Sequence, residues 1–336
     1  MKVLRIPVCA GLLLFTAAPA LAADVPAPEN VCTVKDSRLN ELSGLVSDGK
    51  QWYAINDGGT KIQVFVLGRD CAVKKVISNP TDPFDVEDLA RASDGTLWLS
   101  DTGDNKKARE TVALHAVTPA GKSTLYRLSY PDGQHDTEAL LLDKKGVPYL
   151  ITKDVLGEAK IYRPSGELQS PGPTPLEKVG SLKIQATDTP GSPVGSFGSV
   201  LVTGAASSAD GTIIAVRTYT DAYLYSAPDG DVVAALKRQP VRVPLPNEKQ
   251  GEAIAFEPDG TLLSGSEGVG EPIRAIAGAA GLVTPSSASS PAGESSSSAS
   301  GAPESSGVPA GPAIAIAVAV AAGGVFGLSR LRRRRH

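Results

Sequence analysis

The chain has few of the residues on which common catalytic sites are built. Only three of its 336 residues are histidines, and three are cysteines. No pair of cysteines stands at metal-ligand spacing, which argues against a zinc finger or a cluster-binding domain. No GxSxG elbow, HExxH pair or phosphate-binding P-loop occurs, so neither Ser-His-Asp hydrolysis nor zincin or P-loop chemistry has a motif to rest on. Amphipathic helical periodicity is absent between the two ends, which weighs against α/β folds.

The two ends address the chain. Lys2 and Arg5 precede an apolar run from Ile6 to about Leu21 that closes on Ala20-Leu21-Ala22. That order of charge, short apolar core and small residues predicts a signal peptide over 1–22; a first transmembrane helix is the other reading. Cys9 lies inside the apolar run, too early for a lipid-attachment signal. Cys32 and Cys71 are then the mature cysteines. In an oxidising compartment they read as one disulfide, with two buried thiols as the alternative. At the other end, 312–328 is apolar and uncharged, and Arg330 and Arg332–Arg335 follow. This predicts a single membrane-spanning helix with a basic cytoplasmic tail over 329–336, leaving the rest of the chain outside the cell. No LPxTG motif precedes it. Between the domain and this helix, 284–311 is rich in Ser, Ala, Gly and Pro, and it reads as a flexible stalk.

Charge points the same way. The whole chain is formally −3. Removing the seven positive charges of Lys2, Arg5 and the tail arginines leaves an outer part of about −10. Such a surface opposes nucleic acid and anionic lipid, and it suits cations or basic partners.

Residues 30–280 form one domain that repeats. Units begin at Asn40 (NELSGLVSDGKQWYAINDGG), Asp85 (DVEDLARASDGTLWLSDTGDN), His135 (HDTEALLLDKKGVPYLITKD), Val202 (VTGAASSADGTIIAVRTYTDAYLY) and Gln250 (QGEAIAFEPDGTLLSGSEG). Each holds a short apolar stretch, an Asp-Gly-type turn and a second apolar strand; a third strand follows, as in VFVL at Val64 and VALHAV at Val112. Steps of 46, 51, 65 and 49 residues between the turn glycines mark a β-propeller. Five blades is the favoured count and six the alternative; the long third step fits loops at 170–175 and 189–199. Val31–Val34 is expected to supply the outer strand of the last blade and so close the ring.

In such a ring, the starts of first strands and the ends of second strands meet at one mouth. The first set is Glu41, Asp85, Glu87, Asp88, His135, Asp136, Glu138 and Glu252; the second is Asn56, Asp57, Asp101, Asp104, Asn105, Lys153, Arg217 and Glu267. Glu87, Glu138 and Glu252 stand eight positions before their turn glycines Gly95, Gly146 and Gly260. Acids at matching positions on several blades are what an oxygen-ligated cation site needs, so Glu87, Glu138, Glu252, Asp85 and Asp101 are candidate metal ligands and Ca2+ the candidate ion. Asn56, Asp57, Asp104, Asn105 and Glu267 are candidate ligand-binding residues. The competing reading is that each acid caps a turn or joins one blade to the next. Asp101–Asn105 (DTGDN) starts like an EF-hand loop, but Val112 stands where the twelfth-position acid belongs, so a self-bonded loop is expected. Lys153, Arg217 and Arg109 either neutralise the acids or hold an anionic group of a substrate. His115 alternates within an apolar strand and reads as structural; His135 is the candidate imidazole base. Candidate catalytic residues are therefore His135, Lys153 and Arg217.

These motifs resemble a family of exported bacterial β-propellers, most of them uncharacterised. The resemblance rests on Asn40–Leu45, Trp52–Gly59, Asp85–Ala90, Asp101–Asn105, Asp136–Leu140, Lys153, Val202–Gly211, Val216–Tyr219, Gly251–Phe256 and Ser266–Gly268. More distantly the chain is similar to the "esterase-like activity of phytase" and SdiA-regulated propeller groups. That similarity implies calcium-assisted hydrolysis of phosphoesters or esters. Two functions follow. One is a surface-displayed binding module for an extracellular ligand or envelope component; the other is a calcium-dependent hydrolase of phosphoesters, esters or lactones. A scaffold whose charges only hold the ring together is a third reading.

Overall fold

The turn glycines Gly49, Gly95, Gly146, Gly211 and Gly260 all adopt positive φ, between 63° and 88°. This conformation is nearly cost-free only for glycine, and it reverses the chain in two or three residues. Five hairpins result: β2 (Leu42–Ser47) with β3 (Trp52–Asn56), β6 (Val86–Arg91) with β7 (Leu97–Asp101), β10 (Thr137–Leu142) with β11 (Pro148–Thr152), β14 (Val202–Ser207) with β15 (Ile213–Thr218), and β18 (Gly251–Phe256) with β19 (Leu262–Ser266). The computed structural model describes residues 25–283; the predicted signal peptide, stalk, membrane helix and tail lie outside them. Among the described residues no helix is long and apolar enough to cross a membrane.

Two more strands complete each of the first four units. They are β4 (Ile62–Leu67) and β5 (Val73–Asn79), β8 (Val112–Val117) and β9 (Ser123–Ser129), β12 (Glu158–Pro164) and β13 (Thr174–Lys183), and β16 (Asp221–Ser226) and β17 (Val241–Pro244). The fifth unit adds β20 (Pro272–Ile276) and takes its fourth strand from the other end of the domain. There β1 (Glu29–Thr33) pairs antiparallel with β20, as expected for the segment at Val31–Val34. A two-residue parallel bridge between β9 and β13 joins the second and third units at their outer edges. The first strands touch in cyclic order, β2 to β6 to β10 to β14 to β18 and back to β2. The fold is all-β and propeller-like. The extra length of the third step lies in the ten-residue β13 and the loop after it.

Apolar residues that alternate along these strands pack between neighbouring units. One cluster, with Leu45, Trp52, Phe65 and Ala253, joins the fifth unit to the first. Others join the first to the second (Ile55, Val64, Leu89), the second to the third (Leu114, Leu140, Tyr162), the third to the fourth (Leu141, Ile161, Val216) and the fourth to the fifth (Leu224, Ile254, Phe256). At the centre, buried Asp88 is a strut. Its Oδ2 accepts from Leu140 N at 2.8 Å and Ala205 N at 3.1 Å, so one carboxylate ties β6 to β10 and β14.

Cys32 and Cys71 are joined, with Cα atoms 5.7 Å apart and a sequence separation of 39. The bond fastens β1 to the turn between β4 and β5, across the point where the ring closes. Restricting a loop of this length in the unfolded chain is worth about 4 kcal/mol in the chain-entropy model. Replacing both cysteines with serine is therefore expected to lower the melting temperature by about 10 °C. Calorimetry of the double variant checks this, and an unchanged midpoint would contradict it.

Candidate metal centre

All five hairpins carry the same irregularity. The register slips by one residue near the start of each first strand, between Leu42 and Gly44, Val86 and Asp88, Thr137 and Ala139, Val202 and Gly204, and Gly251 and Ala253. The extra residue in each bulge is Ser43, Glu87, Glu138, Thr203 or Glu252. A bulge frees one residue from the ladder and re-aims its side chain. Here it takes three glutamates out of the strand alternation that would otherwise fix where they point.

A second repeated contact places the strand ends on the same face. Asp57 N donates to Glu41 O, Gly103 N to Asp85 O, Lys153 N to Asp136 O, Tyr219 N to Gly198 O and Glu267 N to Gln250 O, at 2.8–3.2 Å. Each bond joins a residue one or two past a second strand to the segment that leads into its own first strand. The mouth is built from these pairs.

Two carboxylate triads form there and share a member. Asp57, Asp85 and Glu87 can bring one oxygen each within 4.8 Å of one another, and so can Glu87, Asp136 and Glu138. All but Asp57 are buried. Gly103, in the DTGDN loop, closes over them; a Cβ there would overlap Glu87 Oε1 and Asp85 Oδ2. The glycine leaves the room in which these oxygens converge. Hard oxygen donors from three units, in a cradle kept open by a glycine, fit a divalent cation such as calcium.

The electrostatics agree. Burial pushes the Glu87 carboxyl well above its ordinary range, and repulsion from Glu138, Asp85, Asp57 and Asp136 adds to it. Burial likewise raises Glu138 well above its range, with Lys153 opposing and Asp136 and Glu252 adding. Asp136 is raised by burial against the pull of Lys153. Glu267 is pushed up to about 11 by burial and then by Glu252. Lys153 Nζ donates to Glu138 Oε1 at 2.9 Å and lies 5.2 Å from the centre of the Tyr219 ring. Burial disfavours its charge, but Glu138 and its other neighbours outweigh burial and hold it cationic.

The structure separates the candidate residues into two groups. Asp57, Asp85, Glu87, Asp136 and Glu138 meet in the triads. Glu252 lies outside the triads; its Oε2 accepts from Ser43 Oγ at 3.0 Å and its Oε1 from Gln250 Nε2 at 3.2 Å. Glu267 is in neither triad; its neighbours are Glu252, then Asp57 and Glu41.

Other candidates are engaged elsewhere in the structure. Asp101 belongs to neither triad: its Oδ1 takes Asp85 N and Arg109 Nη2, and its Oδ2 takes Phe84 N and His115 Nε2. Burial works to raise its carboxyl, but His115, Arg109 and the two amides hold it below the usual range. Asp104 closes its own loop by accepting from Ala108 N and Arg109 N, and Asn105 is exposed on that loop. Arg217 is fully buried and donates to Thr218 O, Ala253 O, Tyr219 O and Glu248 Oε2, which leaves it no reach toward an anion at the mouth. His135 contacts Asp132 Oδ1 at 3.0 Å and the Tyr162 hydroxyl at 2.9 Å, packed against the Tyr130 and Tyr162 rings. Asn56 positions its neighbours: Oδ1 accepts from Glu41 N, and Nδ2 donates to Asp57 O and Glu41 Oε2. His115 is buried against Asp101, a structural role as expected.

Asp57 and Asp136 were not foreseen as metal ligands. A signal for Asp136 exists, because Asp-x-Glu recurs as Asp85-Val86-Glu87 and Asp136-Thr137-Glu138.

No family model matches this chain, and no curated protein matches it. Solved structures that resemble it include a glucose dehydrogenase, 10% identical over 75% of this chain and 99% of that one, with a TM-score of 0.42. The soluble aldose sugar dehydrogenase of Escherichia coli is 12% identical over 74% of this chain and 98% of that one, with a TM-score of 0.42. A virginiamycin B lyase from Staphylococcus aureus is 13% identical over 74% of this chain and 98% of that one, with a TM-score of 0.39. No activity is carried over from them.

Proposed function

We propose that this chain is an exported five-bladed β-propeller, tethered to the cell membrane by 312–328, that binds calcium in its acidic mouth and there recognises an extracellular ligand. The observation that carries this reading is the pair of triads. Five carboxylates, four of them buried, converge from three blades, and burial with mutual repulsion makes their joint ionisation costly unless a cation sits among them. Asp57, Asp85, Glu87, Asp136 and Glu138 would hold the ion.

Calcium-dependent hydrolysis of phosphoesters, esters or lactones is the second reading, and Lys153 favours it. A bound divalent ion would supply Lewis acidity toward an anionic or carbonyl oxygen. Lys153, kept cationic beside Glu138, would position the same group. Against turnover stands the commitment of the other two candidates: His135 is paired with Asp132, and Arg217 is buried against Glu248.

A panel of phosphoesters, esters and lactones, assayed with calcium and with chelator, separates the two. The binding-module reading predicts no calcium-dependent turnover above that of Glu87→Gln. Turnover that needs calcium and disappears in that variant would establish the hydrolase.

A further inference from the structure

Six large apolar side chains are strongly exposed among the described residues: Val31, Phe84, Val155, Leu156, Phe197 and Val269. Scattered singly, such residues need no explanation. These are not scattered. Val31 lies on the outer edge, in β1. The other five all fall on loops that serve the mouth. Phe84 immediately precedes Asp85, Val155 and Leu156 follow Lys153, Phe197 sits in the short turn of helix before β14, and Val269 follows Glu267. Leu156 is 86% exposed, Val155 64% and Phe84 59%.

Further contacts hold these loops to the same rim. The Arg109 guanidinium lies 4.4 Å from the centre of the Phe84 ring while pairing with Asp101. Gly157, next to Leu156, abuts Val200, so that loop touches the segment bearing Phe197. Gly268 N donates to Asn40 O, which fixes the base of the Val269 loop against the first unit. The mouth is thus an acidic centre inside an apolar rim from four units.

We infer that this face docks a basic amphipathic peptide segment, with lysine or arginine directed at the mouth and leucine- or phenylalanine-like side chains on the rim. The inference rests on the acidic mouth proposed above and names its partner class. Charge complementarity selects this occupant. The five triad carboxylates outnumber Lys153 together with one divalent ion, so the centre stays negative with calcium bound. An anionic lipid surface would be repelled, and a second copy of this chain would bring two acidic mouths together. A basic segment with apolar flanks satisfies both the charge and the exposed side chains.

The test uses full-length protein and two labelled probes of equal length and charge, a leucine–lysine peptide and a serine–lysine peptide, beside phosphatidylglycerol vesicles. The leucine–lysine peptide is expected to bind with an affinity that falls as salt rises. The serine–lysine peptide should bind at least about tenfold more weakly, and Phe84→Ser/Leu156→Ser should weaken the leucine–lysine peptide by about tenfold. Both positions are exposed, so the variant should fold, and its calcium titration should match wild type. Equal binding of the two peptides, an unaffected double variant, or uptake of the vesicles in place of the peptide would overturn the proposal. Calcium binding without peptide binding would end the docking inference alone. Peptide binding without calcium binding would leave the rim standing and remove the metal site.

Discussion

Stripped of divalent cations, the protein is expected to lose stability steadily as pH rises from about 5 to about 8, and calcium is expected to restore it. Glu87, Glu138, Asp136 and Glu267 are all raised in the fold, chiefly by burial. Above the ordinary carboxylate range these groups are ionised in the unfolded chain but still hold protons in the fold. The folded state then binds more protons than the unfolded one, so stability falls with rising pH. The slope is about 1.4 kcal/mol per pH unit for each group that stays protonated. Asp101 and Glu248 are shifted the other way, each held low against burial by its cationic partners. Their contribution is complete above the ordinary carboxylate range and constant across this window. Calcium bound among these carboxylates would displace the protons. At a hundredfold excess over its dissociation constant it adds about 2.7 kcal/mol, a rise of about 8 °C for a domain of this size. Melting curves across the pH series, with chelator and with calcium, measure both effects. Chelated protein whose midpoint is flat or rises toward pH 8 would contradict the buried-carboxylate account.

Arg217→Met is expected to be the most damaging single substitution. The guanidinium is fully buried and stitches the fourth unit to the fifth through Ala253 O and Glu248, whose Oε2 lies 2.6 Å from Nη2. Removing it leaves a buried carboxylate oxygen and several carbonyls without their donor, at about 3–5 kcal/mol. Arg274 and Ser264 still hold Glu248 Oε1, which places the loss at the lower end of that range. Thermal or urea unfolding should show it, while calcium affinity of the folded variant stays at the wild-type value because Arg217 touches no triad residue. Wild-type stability with weakened binding at the mouth would return Arg217 to the anion-holding role.

Much of the architecture was legible in the sequence because it is written in local chemistry. Asp-Gly-type turns announce hairpins, the alternation fixes which strand face is apolar, and the spare strand at Val31–Val34 completes the last unit. The site was only half legible. Eight-residue spacing singled out Glu87, Glu138 and Glu252, but nothing local reveals the bulge that turns them out of the ladder. Asp85 and Asp101 look equivalent as residues. They differ because Arg109 and His115, brought in by the next loop and by β8, saturate Asp101 and leave Asp85 in a triad. The burial of Arg217 was hidden for the same reason: its partner Glu248 lies 31 residues away.

Calorimetric titration of calcium into chelator-treated protein tests the central claim most directly. The account predicts saturable binding with release of protons from the raised carboxyls, abolished in Glu87→Gln, the residue common to both triads. Absence of saturable binding, or an isotherm in Glu87→Gln that overlays wild type, would contradict it.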